Sequence, residues 1–330
     1  MRVVVLGAGS WGSTVASLVA GRDPTMVWAR DAEVADEINQ ERTNTRYLPG
    51  VTLPPLLEAT DDIEKAVAQA ELLIVGVPSH GFRETLEAAK GSIRPWIPVV
   101  SLTKGLERDS LLRMTEVVKD VVPGHPAAAL TGPNIAREIM GGQAAASVIA
   151  TEDLAVARAL QQTLRRGLLR IYTNHDVIGC ELGGALKNVI ALACGMAQGL
   201  AVGDNTRAAV MTRGLAELTR LGVAMGGEPA TFAGLAGMGD LIVTCISPYS
   251  RNRHVGEQLG SGRSLEEVLG EMTMVAEGVK TAITVHELAG RHGVTMPVCE
   301  QMYRVVTGEI TPDTAYLGLR LPAGHEAEPG

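Results

Sequence analysis

A chain of 330 residues is longer than one hydrophobic core usually serves, so its length predicts about two domains. Its 46% hydrophobic and 20% charged residues are typical of a globular protein, and a formal net charge of -8 offers no basic surface for nucleic acid. We therefore exclude a nucleic-acid partner and expect local basic groups to bind any anionic substrate.

An apolar run followed by a glycine-rich turn opens the chain. Val3–Leu6 is apolar at every position, which is typical of a strand buried on both faces of a parallel sheet. Gly7, Gly9 and Gly12 follow in G-x-G-x-x-G spacing, and Ser13–Ala20 is predicted to be helical. Glycines at these positions permit a tight turn, approach of a pyrophosphate and close helix packing. The succession of strand, glycine turn and helix predicts dinucleotide binding at the helix N-terminus. An ordinary strand-to-helix turn is the alternative.

The end of the second predicted strand, Met26–Ala29, bears on the choice of coenzyme. NAD-binding folds usually offer a carboxylate there to the ribose 2′-hydroxyl, whereas this chain offers Arg30 and then Asp31. A guanidinium can pair with a 2′-phosphate or stack on adenine, so NADP is favoured and NAD stays possible. Alternatively, Arg30 is a solvated charge and Asp31 caps the helix Ala32–Gln40.

Strands and helices then alternate up to about residue 174. The predicted strands are Leu72–Val77, Val99–Thr103, Ala127–Thr131, Ala144–Ala150 and Leu169–Tyr172, and the predicted helices are Ile63–Ala70, one after Ser79, Ser110–Asp120 and Asp153–Leu164. Alternation at these lengths indicates a parallel, doubly wound sheet. The predicted fold class is α/β, with an N-terminal doubly wound Rossmann domain over residues 1–174.

Helical periodicity replaces this pattern in the second half of the chain. We predict an all-α domain over residues 175–321 and a disordered tail over 322–330, which is rich in Pro, Gly and Glu. The longest apolar stretch, Val189–Val202, is too short for a bilayer and is predicted to be a buried helix, so no membrane span is expected. A first strand near residue 3 leaves no room for a leader, which predicts a cytoplasmic protein.

Cysteine and histidine spacing gives no sign of a metal site. The four cysteines lie far apart, without a C-x-x-C pair, and we predict that they are buried free thiols. They are Cys180, Cys194, Cys245 and Cys299. The seven histidines likewise lack ligand spacing, so no metal is predicted.

Only six of the 29 basic residues are lysines, so the chain mostly uses arginine where a simple positive charge is enough. A lysine in an apolar setting is therefore a candidate functional residue. Lys187 lies in ELGGALKNVIALACG, among small and apolar residues on a predicted buried helix. Unlike arginine, a lysine ammonium can release a proton, so Lys187 is the candidate for proton transfer, although a snorkelling lysine is the alternative. Lys104 follows a strand, at the sheet edge where such folds bind ligands, and a loop charge is its alternative.

Two later segments add candidate site residues. Asp240, in GLAGMGDLIVTC, comes after a glycine-rich turn and could pair with a buried lysine, or could simply cap a helix. In SPYSRNRHVG, the residues Ser250, Arg251 and Asn252 stand where a helix could begin, which suits a phosphate cradle. The alternative is that the arginines at this helix start are simply solvated.

Eight motifs, in order, resemble the family of NAD(P)-dependent glycerol-3-phosphate dehydrogenases. They are GAGSWG, SLTKGLE, GPNIAREI, GGALKNVIA, GDNTRAAVMTRGLAE, GLAGMGDLIVTC, SRNR and AEGVKT, and the resemblance runs from about residue 3 to Pro297. It implies a Rossmann domain that binds the nicotinamide dinucleotide and an all-α domain that completes a site for dihydroxyacetone phosphate. It also implies a homodimer that supplies sn-glycerol 3-phosphate for phospholipid synthesis.

The resemblance implies a role for each matched residue. Lys187 would be the catalytic lysine, with Asp240 beside it. Cofactor contacts would come from Ser10, Trp11, Arg30, Ala136, Val275 and Glu277, in addition to the three glycines. Substrate contacts would come from Gly132, Asn134, Lys187, Asp240, Ser250 and Asn252, and both ligands would be contacted by Lys104 and Arg251.

Asn134 departs from the bacterial pattern, in which Ser or Thr is usual, and resembles eukaryotic members. An amide can still donate to the substrate, but a backbone N–H is an alternative donor.

Two other functions stay open. A reductase of the same build acting on ketopantoate or 6-phosphogluconate would keep the lysine but lack SRNR here, and a non-catalytic NADP sensor would have no reason to keep Lys187 with Asp240.

Overall fold

The computed structural model describes residues 1–272 and 276–318. Val275 and the tail 322–330 therefore lie outside the described residues. The chain separates into two compact units, Met1–Val177 and the chain from Ile178 onward. Each unit is described by itself below.

Eight strands form one sheet in the first unit. They are β1 (Val3–Leu6), β2 (Thr25–Trp28), β3 (Leu57–Thr60), β4 (Leu72–Val75), β5 (Val99–Ser101), β6 (Ala127–Thr131), β7 (Ala145–Ala150) and β8 (Leu169–Asn174). Their order is β3-β2-β1-β4-β5-β6-β7-β8, and β1 and β4 are adjacent although β2 and β3 separate them in sequence. Such a switch in strand order opens a crevice at the carboxyl ends of the strands. The predicted doubly wound fold class is confirmed.

Two features of the sheet differ from the prediction. β7 runs antiparallel to β6, and the connecting helix, Ala136–Met140, has only five residues and is too short to carry the chain back along the sheet as a crossover helix does. The strand β3 was not predicted, since its sequence LEAT carries only two apolar side chains that can face the core. It pairs with β2 alone, as an edge strand.

The central position of β1 explains its composition. All four of its residues are buried, and alternate side chains enter opposite faces of the sheet. Val3 and Val5 belong to one hydrophobic cluster, and Val4 and Leu6 belong to another. A strand with an apolar cluster on each face has no polar side, as its sequence predicts.

Helices cover this sheet. They are α1 (Ser10–Ala20), α2 (Ala32–Glu41), α3 (Ile63–Val67), α4 (Ser79–Ala89), α5 (Met114–Val121), α6 (Ala136–Met140) and α7 (Leu154–Leu164). α1 begins at Ser10, three residues before the predicted start, because Gly9 in extended conformation already serves as the N-cap. α5 begins four residues later than predicted, since Leu106 and Arg113 form an antiparallel bridge that closes a turn first.

All regular elements described from residue 178 to 272 and from 276 to 318 are helical. They are α8 (Val177–Gly199), α9 (Asp204–Ala224), α10 (Pro229–Phe232), α11 (Asp240–Ile246), α12 (Arg251–Gly260), α13 (Leu265–Gly270), α14 (Glu277–His292), α15 (Pro297–Val306) and α16 (Pro312–Gly318). A π-helical turn, Leu235–Gly239, leads directly into α11. Turns of this kind occur often at functional sites.

The predicted apolar stretch Val189–Val202 corresponds to the longer helix α8. This helix has 23 residues and is therefore long enough to cross a bilayer, which corrects the expected length. The helix begins earlier than the apolar stretch, because the polar residues Glu181, Lys187 and Asn188 break the apolar sequence but not the helix. Its apolar window is 94% buried, and a second apolar stretch, Pro229–Ile246, is 39% buried. Core helices of soluble proteins share these properties, so both stretches are weak evidence for a membrane span.

Candidate active site

The glycine turn between β1 and α1 has the geometry of a dinucleotide-binding turn. Gly7 has a φ of 113°, and a Cβ on Gly12 would lie 2.0 Å from the Gly7 carbonyl oxygen, so neither position accepts a side chain without strain. A Cβ on Gly9 would meet nothing within 4 Å, so the backbone there faces open space. Gly9 is also the N-cap of α1, whose first backbone N–H groups have no partner within the helix.

These features fit the pyrophosphate of a nicotinamide dinucleotide. The first turn of α1 contains no acidic residue that would repel an anion. Within the described part of the chain, the buried indole Nε1 of Trp11 has no hydrogen-bond partner, although a buried donor normally has one. The turn therefore combines an open backbone surface with an unused donor at Trp11.

Arg30 and Asp31 follow β2, at the end of the strand where an adenosine ribose lies in this fold. Arg30 is exposed. Asp31 caps α2, since its Oδ1 accepts from the Glu33 backbone N–H at 3.1 Å. Its Oδ2 pairs with Arg46 Nη1 at 2.8 Å. Both carboxylate oxygens of Asp31 are thus engaged. The alternative in which Asp31 caps α2 is confirmed.

A compact group forms where β5 and β6 end. Lys104 Nζ donates to the Gly132 carbonyl oxygen at 2.8 Å. The Ser147 hydroxyl donates to Asn134 Oδ1, and Asn134 Nδ2 is buried without a hydrogen-bond partner among the described residues. In this amide orientation Asn134 retains a donor, as a substrate contact would require. The structure thus brings together the three substrate-contact candidates of the first unit.

The second unit contains a buried ion pair between α8 and α11. Lys187 Nζ lies 2.8 Å from Asp240 Oδ1, and the side chains are 6% and 2% exposed. Lys187 also donates to Thr244 Oγ1, and that hydroxyl donates to the Asp240 backbone carbonyl at 2.6 Å. Asp240 is the first residue of α11 and does not cap it, so its carboxylate is directed to the lysine. The snorkelling alternative for Lys187 is wrong, because its ammonium is buried.

Asn252 links three helices beside this pair. Its Nδ2 donates to Asn188 Oδ1 at 2.9 Å, and its Oδ1 accepts from the Gly278 backbone N–H at 2.8 Å. A Cβ on Gly278 would lie 2.7 Å from the Asn188 carbonyl oxygen, so α14 can approach α8 this closely only with glycine there. Ser250 caps α12, with its hydroxyl accepting from the Arg253 backbone N–H at 3.2 Å. The helix start predicted at SRNR is therefore present.

Arg251 and Glu277 are electrostatically coupled. Arg251 is exposed, but the protein atoms packed around its guanidinium lower its pKa by desolvation, and the negative charge of Glu277 opposes that shift. They are the first residues of α12 and α14. Ala136, the other helix-start candidate, is the first residue of α6 in the first unit.

The four cysteines are free and buried, as predicted. A hydrogen bond between Cys194 and Cys245 together with burial raises the pKa of the Cys245 thiol well above its ordinary value. Among residues 1–272 and 276–318, no group of three or more His, Cys, Asp or Glu side chains is arranged to hold a metal ion.

Comparison with known proteins assigns the family. A model described as the N-terminus of NAD-dependent glycerol-3-phosphate dehydrogenase matches residues 2–157, and one described as its C-terminus matches residues 176–316. The chain belongs to the NAD-dependent glycerol-3-phosphate dehydrogenase family. The resemblance carried by the eight motifs is thus confirmed, as is the prediction of an NAD(P)-dependent oxidoreductase.

Individual members of this dehydrogenase family match the chain over almost its whole length. A glycerol-3-phosphate dehydrogenase [NAD(P)+] of Sphingopyxis alaskensis is 58% identical, over 100% of this chain and 99% of its own. One from Mycobacterium avium is 52% identical, over 98% and 96%. The crystal structure of glycerol-3-phosphate dehydrogenase from Coxiella burnetii has a TM-score of 0.92 at 35% identity, covering 96% of this chain and 98% of that one.

Two polar residues of the candidate site were missed by the sequence analysis. Thr244 bonds to Lys187, and Asn188 holds Asn252. The sequence contains a signal that could have identified each of them. Thr244 lies four residues after Asp240 and so on the same helix face, and Asn188 is a polar residue next to Lys187 in an otherwise apolar run.

Proposed function

We propose that this chain interconverts dihydroxyacetone phosphate and sn-glycerol 3-phosphate, with NADPH preferred and NADH accepted. The first unit, predicted as domain 1–174, would bind the coenzyme, and the helical domain predicted over residues 175–321 would supply the proton-transfer machinery. The observation that carries this proposal is the buried Lys187–Asp240 pair. Burying two charges costs several kcal/mol per ion before their attraction offsets it, so such a pair is costly to maintain for stability alone.

Lys187 is assigned the proton transfer. When bound, the reduced nicotinamide supplies the hydride that adds to C2 of the ketone. The Lys187 ammonium polarises the ketone oxygen and gives it a proton as negative charge develops there. Asp240 holds the ammonium in place and balances its charge, and Thr244 fixes the position of Nζ. In the reverse direction the neutral amine of Lys187 accepts the hydroxyl proton.

The phosphate of the substrate is assigned to the N-terminus of α12. Arg251 supplies a cation there, and the first backbone N–H groups of the helix supply donors for an anion. Asn252 already uses its oxygen and one amide hydrogen within the protein, so its remaining amide hydrogen or its backbone N–H would serve the phosphate. Ser250 retains its hydroxyl hydrogen as a donor. Holding the phosphate fixes C2 for the reaction.

The remaining assignments follow the same chemistry. Lys104 and Asn134 would contribute a cation and an amide donor to the substrate, and Gly132 would orient Lys104 through its carbonyl. Coenzyme contacts are proposed for Gly7, Gly9, Ser10, Trp11, Gly12, Arg30, Lys104, Ala136, Arg251, Val275 and Glu277.

NADPH preference is proposed because Arg30 follows β2 while both oxygens of Asp31 are engaged elsewhere. A guanidinium pairs well with a 2′-phosphate, and a capped, ion-paired carboxylate is a poor acceptor for a ribose hydroxyl. We further propose a cytoplasmic homodimer without a membrane span whose product is the glycerol 3-phosphate used in phospholipid synthesis.

Absorbance of the reduced nicotinamide tests the proposed function. Purified protein with NADPH should consume it on addition of dihydroxyacetone phosphate and should not do so with ketopantoate, and with NADP+ it should form no NADPH on addition of 6-phosphogluconate. NADPH consumption with ketopantoate, or NADPH formation from 6-phosphogluconate, would replace the proposed substrate. Binding of NADPH without turnover of any of the three compounds would favour the sensor function.

A further inference from the structure

Asn44 is a buried polar residue outside every motif of the sequence analysis. It lies after α2 and is 0% exposed. Its Nδ2 donates to the Ala8 carbonyl oxygen at 2.8 Å and to Ser13 Oγ at 2.9 Å. Its Oδ1 accepts from the Tyr47 backbone N–H at 3.3 Å. Asn44 therefore joins a distant segment to the glycine turn and to α1.

The segment that carries Asn44 is itself held in place. Glu37 Oε1, on α2, accepts from Thr43 Oγ1 at 2.8 Å and from the Thr45 backbone N–H at 2.7 Å. These bonds lie on either side of Asn44. The residues on both sides of Asn44 are thus hydrogen-bonded to α2, which holds the amide in position.

The bond to Ala8 determines which way the next peptide group points. Ala8 O accepts both from Asn44 Nδ2 and, at 3.0 Å, from Ser13 Oγ. The Ala8–Gly9 peptide is trans, so its N–H points opposite to its C=O. With the carbonyl turned toward buried Asn44 and Ser13, the Gly9 N–H is directed away from them.

We propose that Asn44 is a positioning residue for the dinucleotide-binding turn, fixing the Ala8–Gly9 peptide so that the Gly9 N–H donates to the coenzyme pyrophosphate. This inference rests on the proposed coenzyme site. The orientation of a backbone donor in the glycine motif is thereby assigned to a residue some 35 positions away in the sequence. Asn44 itself touches neither coenzyme nor substrate.

Asn39, an exposed residue of α2, provides a control for the loss of side-chain hydrogen bonds to the backbone. It too bonds a backbone segment through both amide atoms, with Nδ2 donating to the Ala59 carbonyl at 2.9 Å and Oδ1 accepting from the Ala59 N–H at 2.9 Å. Ala59 lies in β3, away from the glycine turn in sequence. Asn39→Ala therefore removes comparable bonds from the same unit without releasing the Ala8–Gly9 peptide.

The test is calorimetric titration of ADP-ribose, NADP+ and NAD+ into the full-length protein, with a thermal unfolding curve for each variant. Asn44→Ala should weaken all three ligands about tenfold, the value of roughly one net hydrogen bond. Asn39→Ala should lower the Tm less, because Asn39 is exposed whereas Asn44 is buried, and should leave the three affinities within twofold. At saturating NADPH, Asn44→Ala should retain kcat and the KM for dihydroxyacetone phosphate within twofold.

Two further variants cover the case in which Asn44→Ala does not fold. Asn44→Asp keeps an acceptor for Tyr47 but puts a carboxylate oxygen against Ala8 O, so its affinities should fall further than those of Asn44→Ala. Ser13→Ala removes the other donor to the same carbonyl and should weaken ADP-ribose about threefold. Unchanged ADP-ribose affinity in the folded Asn44 variants, or an equal loss in Asn39→Ala, overturns the proposal. Failure of the wild-type protein to bind ADP-ribose overturns the coenzyme site itself.

Discussion

Lys187 Nζ lies 2.8 Å from Asp240 Oδ1, in a pair that is almost completely shielded from solvent. The π-helical turn before Asp240 contributes to this arrangement. A Cβ on Gly183 of α8 would lie 2.7 Å from the carbonyl oxygen of Ala236 in that turn, so the two segments pack backbone to backbone. Close packing brings the start of α11 within reach of a lysine that lies one helical turn further along α8.

Asp240→Asn should lower kcat at least 100-fold and also lower the Tm. An amide leaves the ammonium buried without a counter-charge, and removing one partner of a buried pair costs about 3–5 kcal/mol. Steady-state rates with dihydroxyacetone phosphate and a thermal unfolding curve measure both effects. Asp36→Asn, at an exposed position on α2, is the control and should change neither. A kcat within tenfold of wild type would remove Asp240 from the proposed mechanism.

Arg251→Ala should raise the KM for dihydroxyacetone phosphate by about 10- to 1000-fold, the value of a lost charge-assisted contact of about 1.5–4 kcal/mol. Arg263 provides a matched control, because it forms a surface ion pair with Glu271. Arg263→Ala should leave this KM within twofold. Initial rates over a range of substrate concentrations give both values, and an unchanged KM for Arg251→Ala would mean that the phosphate binds elsewhere.

Arg30→Ala should reduce kcat/KM for NADPH by about 10- to 100-fold with little effect on NADH. Only NADPH carries the 2′-phosphate, and a charge-assisted pair at a partly exposed site contributes roughly 1.5–3 kcal/mol. Measuring both coenzymes on wild type and variant separates the alternatives. Equal losses for both would indicate that Arg30 stacks on adenine, and no loss for either would mean that the ribose does not lie beside it.

Glu217 should make the free energy of unfolding depend on pH. It is 3% exposed and accepts from the backbone N–H groups of Val298 and Cys299 at 2.8 and 3.1 Å, at the start of α15. Burial raises its pKa above the ordinary 4.5, although these hydrogen bonds oppose the shift. Its protonated form is thus favoured by folding, and the stability it contributes is fully present below pH 4.5 and lost as pH rises through the raised pKa.

The matched variant for this effect is Glu217→Gln, which does not titrate. Denaturant unfolding of both proteins between pH 4.5 and 8 should show the wild-type stability falling relative to the variant as pH rises. A relative stability that increases with pH would mean that the hydrogen bonds outweigh burial and lower the pKa of Glu217.

Local patterns predicted those parts of the protein that depend on local chemistry. The β1 strand, the glycine turn and the start of α12 at Arg251 follow from composition and spacing within a few residues. β3 was missed because an edge strand needs few apolar side chains, and the direction in which β7 pairs with β6 is not encoded in the composition of either strand. The contact between Ala8 and Asn44 joins residues 36 positions apart, and no periodicity encodes such a pairing.

Replacement of Lys187 tests the central claim most directly. The measurement is the rate of NADPH consumption with saturating dihydroxyacetone phosphate by wild type, Lys187→Ala, Lys187→Arg and, as a control, Lys65→Ala at an exposed position. The proposed mechanism predicts that both Lys187 variants lose nearly all turnover while still binding NADPH, since alanine has no proton to give and a guanidinium does not release one. Lys65→Ala should match wild type. Turnover within tenfold of wild type in either Lys187 variant would contradict the assignment of the proton transfer to Lys187.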